Sequence, residues 1–166
     1  MQLDHLLSLV PAMVRQNPWR GKRRAADMAS DRNTRIIEEF RANEGRVGGY
    51  FEGHTLLLLH HRGAKTGQAR INPLAYLPDG DRFVIFATKG GSPTNPDWYH
   101  NLMAHPDVEV EVGTETIPVH AVDIRDDAEH DALYARQTKR MSGFGAYLKK
   151  TSRRIPVIAL ERTDHA

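Results

Sequence analysis

The sequence predicts an α+β fold: a small β-barrel of about six mostly antiparallel strands with helices packed around it. Short apolar or alternating runs separated by Gly, Pro, Asp and Asn fill the chain from Thr55 to Ile124, the pattern of strands and tight turns. Their close linkage in pairs argues for hairpins, hence antiparallel pairing. Helical periodicity is confined to segments that precede, interrupt or follow these runs.

The N-terminal region reads as an amphipathic helix and a basic linker, residues 1–30, ahead of the barrel domain at 31–166. Leu3, Leu6, Leu7, Val10 and Val14 recur at helical spacing, interrupted by Pro11, and Arg20, Lys22, Arg23 and Arg24 follow. Such a face beside a basic cluster suits either packing on the domain or contact with an anionic membrane surface. A second helix is expected to start at Asp31 or Asn33 as cap, to bury Ile36, Ile37 and Phe40, and to stop at Gly45.

Thr55 to His61 and Arg70 to Leu77 then form an opening hairpin. Pro78, Asp79 and Gly80 make a turn into a third strand, Arg82 to Thr88. The loop KGGSPTNP leads to a helix start with Asn95 as cap and Pro96 in the first position, and the helix runs to Ala104. Val108 to Val112 and Thr116 to Ile124 are two more strands. A helix from Asp126 and Asp127 to Arg140, a short helical piece around MSGFGAYLKK and a closing strand from Ile155 to Leu160 complete the chain.

Composition narrows the function. Apolar content of 40% and charged content of 27% are those of a globular domain. No run reaches the length of a membrane span, and the start lacks a basic n-region and a small-residue cleavage site, so a cytoplasmic location is expected. Without cysteine there is no disulfide framework, thiolate zinc site or cysteine nucleophile. Lys plus Arg at 23 against Asp plus Glu at 21 is nearly balanced, which gives no support to nucleic-acid binding.

The stretch LLLLHHRGAKTGQARINPLAY, Leu56 to Tyr76, organises the rest. Its turn combines Gly63 and Gly67 with Arg62, Lys65, Thr66 and Arg70, so that flexible backbone amides, a hydroxyl and positive charge meet at one tip. This suits phosphate or carboxylate, although a solvated turn favours the same residue types. The order is not that of a Walker A loop. The other notable feature is the capped helix start after Lys89 to Asn95, where free amides and the aromatic Trp98 and Tyr99 suit an anionic or planar ligand; packing of both aromatics on the barrel is the alternative.

Other chemistries find no support. His60 and His61 are adjacent on a strand and face opposite ways, and His100 and His105 lack a His-Glu-x-x-His arrangement, so no metal is expected. Neither a Gly-x-Ser-x-Gly elbow nor a G-x-G-x-x-G fingerprint is present.

The runs GRVGGYFEG, LLLLHHRGAKTGQARINPLAYLPDGDRFVIFATKGGSPTNPDWYHNLMAHPDVEVEVG and RRIPVIALER resemble the deazaflavin-dependent nitroreductase family, split β-barrel oxidoreductases that use coenzyme F420. The resemblance covers nearly all of residues 33–162 in order, and its motifs GAKTGQAR and KGGSPTNPDWYHN are specific in combination. It implies a split β-barrel and hydride transfer from reduced F420 to an electron-poor acceptor: a quinone, nitroaromatic or activated enone. By position in the motifs, Ala64, Lys65, Thr66 and Arg70 would take the cofactor's anionic tail. Ile71, Asn72, Pro73, Leu74 and Ala75 would run beside its ring. Phe86, Ala87, Thr88 and Lys89 would continue the ring pocket, and Asp97, Trp98, Tyr99, His100 and Asn101 would close it. Thr88 and Tyr147 match the hydroxyl positions that border the acceptor.

One departure from the family pattern is Phe144, where the best-studied nitroreductases carry a tyrosine that is a candidate proton donor. Quinone reduction is therefore expected to survive better than nitroimidazole reduction. The alternatives are a non-catalytic carrier of F420 or a fatty acid, and an FMN-binding reductase on the same barrel. Expected partners are a small-molecule electron acceptor, no nucleic acid, and peripheral contact at the inner face of the membrane through the first helix, with the protein a monomer or homodimer.

Overall fold

A computed structural model describes residues 25–164. Contacts divide the chain into two units, Met1–Thr34 and Arg35–Ala166, and the barrel lies wholly within the second. The helical face expected at residues 3–16 and the basic cluster after it lie outside the described residues. No described helix is long and apolar enough to cross a membrane.

Seven strands form one sheet: β1 (Leu56–Arg62), β2 (Ala69–Ala75), β3 (Leu77–Asp79), β4 (Arg82–Phe86), β5 (Asp107–Val112), β6 (Glu115–Asp123) and β7 (Val157–Arg162). Their order is β2-β1-β5-β6-β7-β4-β3, and every neighbouring pair is antiparallel. The two edge strands, β2 and β3, are separated in sequence by Tyr76 alone, so the chain itself joins the edges of the sheet. This is the split barrel, with one strand more than the six expected. The extra strand arises because the run from Arg70 to Leu77 changes partner at Tyr76: up to Ala75 it pairs with β1 and from Leu77 with β4, while Tyr76 bonds through its N–H to the Thr55 carbonyl at 3.1 Å and buries its ring edge-on against Phe83.

Four helices accompany the sheet: α1 (Ala25–Ala42), α2 (Asp97–Ala104), α3 (Asp127–Arg140) and α4 (Gly143–Lys150). Helix α1 begins earlier than the caps expected at Asp31 or Asn33. The segment AADMA that precedes them is made mostly of strong helix formers, and both polar residues lie inside the helix. Its C-terminus turns through Glu44 in the left-handed region, and the Gly45 N–H bonds back to the Phe40 carbonyl at 2.8 Å. A Cβ on Gly45 would stand 2.9 Å from the Gly113 Cα in the β5–β6 turn, so this close backbone approach requires glycine.

Alternation along β1 sorts the core. Leu57 and Leu59 point to the interior with Ile85, Val110, Val119, Ile158 and Leu160, where Trp98 and Leu102 of α2 join them. Leu56 and Leu58 point outward and are covered by Phe40 and Val47, with Ile36 and Ile37 packed alongside. Across the barrel, Val84, Phe86, Val157 and Ala159 are covered by Leu133, Tyr134, Met141 and Phe144 of the α3–α4 region. The closing strand starts at Val157 rather than Ile155, because Pro156 has no N–H to give the ladder.

Leu59 is fully buried, whereas Leu148 is 46% exposed. Leu59→Ala is therefore expected to lower unfolding free energy by about 2–5 kcal/mol. Leu148→Ala should stay within about 0.5 kcal/mol of the native protein. Urea denaturation of both variants checks the contrast.

Candidate functional site

The β1–β2 hairpin ends in a turn held by its own backbone. The Gly63 N–H donates to the Gln68 carbonyl at 2.9 Å, and the Gly67 N–H to the Gly63 carbonyl at 2.8 Å. Thr66 turns its hydroxyl inward to accept from the Gln68 N–H at 3.2 Å. A Cβ on Gly63 would overlap that hydroxyl, so glycine permits the fold of the turn. Arg62, Lys65 and Arg70 are exposed, and their side chains make no hydrogen bond or ion pair among the described residues.

The tip is fastened to α2 by a relay through the buried His61 and Asn101 and the half-buried Asn72. The Ala64 N–H donates to Asn101 Oδ1 at 2.9 Å, Asn101 Nδ2 meets His61 Nδ1 at 3.0 Å, and His61 Nε2 meets Asn72 Oδ1 at 2.7 Å. One donor fixes the whole chain. A backbone N–H can only donate, so Asn101 presents its oxygen to Ala64 and its NH2 to His61; His61 Nδ1 must then be the bare acceptor, and Nε2 carries the proton toward Asn72. His61 and Asn101 are 3% and 6% exposed, and burial holds the His61 pKa below its usual 6.5, with the Asn72 hydrogen bond opposing and the nearby Arg70 adding to the shift. Protonation would set an N–H of the ring against the Asn101 NH2. The structure thus separates the adjacent histidines: His60 turns the other way and meets Glu111 at 2.7 Å.

The loop between β4 and α2 is stapled by Arg153. Its Nε donates to the Ser92 carbonyl at 2.8 Å, Nη1 to Asn95 Oδ1 at 2.6 Å, and Nη2 to the Ala87 and Thr88 carbonyls at 3.1 and 2.9 Å. Asn95 is consequently not the helix cap expected from its position; its side-chain oxygen serves Arg153, and Pro96 takes the N-cap position without a side-chain bond. Lys89 sits at φ +44° and reaches the Thr94 hydroxyl at 3.3 Å, while Thr88 is half-buried beside it.

The remaining sequence-derived residues divide into frame and surface. Trp98 is buried in the barrel interior and takes the packing role. Tyr99 is half-buried, and its hydroxyl donates to Asp123 Oδ2 at 2.9 Å, which ties α2 to the end of β6. Asp97 and His100 are exposed at the start of α2. Along β2, Pro73 is buried and Asn72 is engaged in the relay, while Ile71, Leu74 and Ala75 are half-buried against separate clusters. Phe86 and Ala87 are buried beneath the loop, and Tyr147 packs on Phe144 at 5.5 Å between ring centroids. Among the described residues no group of three or more His, Asp or Glu is arranged to hold a metal ion.

Two residues of the site escaped sequence reasoning. His61 shows no sequence signal beyond its place beside His60, although its alternation with Leu57 and Leu59 places it on the interior face, where it is buried. Arg153 gives no local signal, because its partners are mainly carbonyls about sixty positions away.

Because the folded pKa of His61 is lowered, its contribution to stability is complete above 6.5 and is lost as pH falls from there toward the folded value. His61→Gln should flatten that part of the stability–pH curve measured by urea unfolding; an unchanged slope would reject the relay as its source. Arg153→Lys keeps the charge but loses the planar fork, and should cost about 2 kcal/mol or more in the same measurement.

The profile of the F420H(2)-dependent quinone reductase family matches residues 33–162. An F420H(2)-dependent quinone reductase of Mycobacterium tuberculosis strain H37Rv is 43% identical over 129 residues, which cover 74% of this chain and 85% of that protein. Among solved structures, an F420-H2 dependent reductase, FDR-A, superposes with a TM-score of 0.59 at 30% identity, covering 64% of this chain and 94% of that one. A second, described as a domain-swapped dimer, gives 0.60 at 27% identity and covers 83% and 100%. The seven-stranded split barrel and the extent of these matches agree, and the chain belongs to the F420H(2)-dependent quinone reductase family.

Proposed function

We propose that this protein reduces a quinone with reduced coenzyme F420, and that the β1–β2 tip holds the cofactor's anionic tail. The observation that carries the reading is the set of three cations, Arg62, Lys65 and Arg70, whose side chains have no partner among the described residues, around a turn fastened by the relay. Cations without protein partners are available to phosphate and carboxylate, and a fixed turn loses little conformational freedom when they bind. The donor set therefore fits the phosphodiester and glutamate of F420.

Beside the tip, β2 pairs only with β1, so the backbone of Ile71 to Ala75 has one edge free of the ladder. That edge suits the polar rim of a planar ring, with Asn72 and Asn101 acting through the relay and Trp98 through the core. Thr88 and Lys89 would meet the ring from the loop that Arg153 orders. When bound, reduced F420 supplies a hydride from C5 of its deazaflavin, and the protein's work is to bind, orient and exclude water. The named quinone reductase at 43% identity supports a quinone as acceptor.

Fluorescence titration of oxidised F420 tests the tail site. Binding is expected to weaken by roughly 1.5–3 kcal/mol, about tenfold or more, in Lys65→Ala and in Arg70→Ala, and to weaken with added salt. No binding by the native protein, or an affinity unchanged from native in both variants, would overturn it. Peripheral membrane contact rests on the spacing of Leu3, Leu6, Leu7, Val10 and Val14 and on the basic run from Arg20 to Arg24. We propose such contact as well; sedimentation with anionic liposomes at low salt, reversed at high salt, is the expected result, and a protein that stays in the supernatant refutes it.

A further inference from the structure

The short turn Gly49–Phe51 before β1 presents an aromatic side chain that no fold requirement explains. Tyr50 is 60% exposed, yet its hydroxyl stands 3.5 Å from the Tyr147 hydroxyl on α4. The turn is secured on both sides of it. The Gly48 N–H donates to Glu39 Oε1 at 2.9 Å, and Phe51 packs beneath, with the Tyr50 ring edge-on to it at 5.1 Å. A Cβ on Gly143 would stand 3.3 Å from the Tyr50 oxygen and 4.0 Å from that of Tyr147, so glycine leaves the space beside both hydroxyls open.

We propose that Tyr50 and Tyr147 together hydrogen-bond one oxygen of the quinone acceptor. The inference rests on the quinone reductase reading and extends it to a specific acceptor contact. Two phenols carry two O–H donors but need at most one for each other, so the pair always has one to offer. At 3.5 Å their mutual bond is also longer than the usual O–H···O distance of about 2.5–3.0 Å, and re-aiming it costs little. The surroundings suit the rest of a quinone: Phe51, Tyr147 and Ala75 pack against one cluster with Phe86 and Phe144, and Ala75 belongs to the strand assigned to the cofactor ring.

The Tyr50 pKa is pushed up to about 12, first by the hydrogen bond to Tyr147 and then by burial, so this phenol stays a donor throughout the working pH range. Net reduction balances without either tyrosine being consumed. Reduced F420 would supply a hydride and a proton, both carbonyls of the quinone would become hydroxyls, and each phenol would end as it began.

The test uses protein saturated with oxidised F420, in which no turnover occurs. Binding of menadione is compared with that of 2,3-dimethylnaphthalene, a similar shape without oxygens, by quenching of protein fluorescence. Native protein should prefer menadione, and Tyr50→Phe should reduce that preference about three- to tenfold while leaving F420 affinity and dimethylnaphthalene binding unchanged. Tyr147→Phe should do the same, and the double variant, which retains neither phenol donor, should lose the preference for menadione altogether. Failure to bind F420 overturns the functional reading and this inference with it. F420 binding accompanied by no preference for menadione, or by the same preference in Tyr50→Phe, overturns the inference alone.

Discussion

A single relay, from Asn72 through His61 and Asn101 to the Ala64 amide, fixes where the rest of the site can be. It joins β2, β1, α2 and the hairpin tip through three hydrogen bonds whose directions all follow from one backbone N–H. Such a chain is intolerant of partial loss, because a buried donor or acceptor left without its partner costs about 1–3 kcal/mol. The tip therefore cannot move away from the start of α2 without leaving amides and an imidazole unsatisfied inside the protein. An otherwise mobile loop becomes a fixed platform for charge.

That platform stands out electrostatically. Several arginines elsewhere serve structure: Arg41 pairs with Glu111, Arg82 and Arg136 meet at Asp79, and Arg153 gives its fork to a loop. At the tip, Arg62, Lys65 and Arg70 have no such partners among the described residues. Surface ion pairs contribute little to stability, so the contrast says less about folding than about what the tip is for. Positive charge held close without compensation is disfavoured in the free protein and relieved by an anion.

The fold was legible because its signals are local. The apolar run from Leu56 to Leu59, turn chemistry at Pro78 to Gly80 and the helical spacing of Ile36, Ile37 and Phe40 each report on neighbours in sequence. The break at Tyr76 was not legible, since it depends on the chain exchanging β1 for β4 as its pairing partner there. The same distinction runs through the site. Glycines and cations marked the tip, but the jobs of His61, Asn95 and Arg153 are set by partners from eleven to sixty-six positions away. Asn95 is instructive: a cap residue in the right place was taken by a stronger, charged donor, and Pro96 was left to begin the helix.

The protonation state of His61 tests this account most directly. A long-range proton–nitrogen correlation spectrum of the imidazole at neutral pH is predicted to show a neutral ring with the proton on Nε2, persisting below the pH at which an ordinary histidine titrates. A proton on Nδ1, or an imidazolium at neutral pH, would mean that the Asn101 amide is reversed or the relay broken, and would contradict the claim that it holds the cationic tip in place.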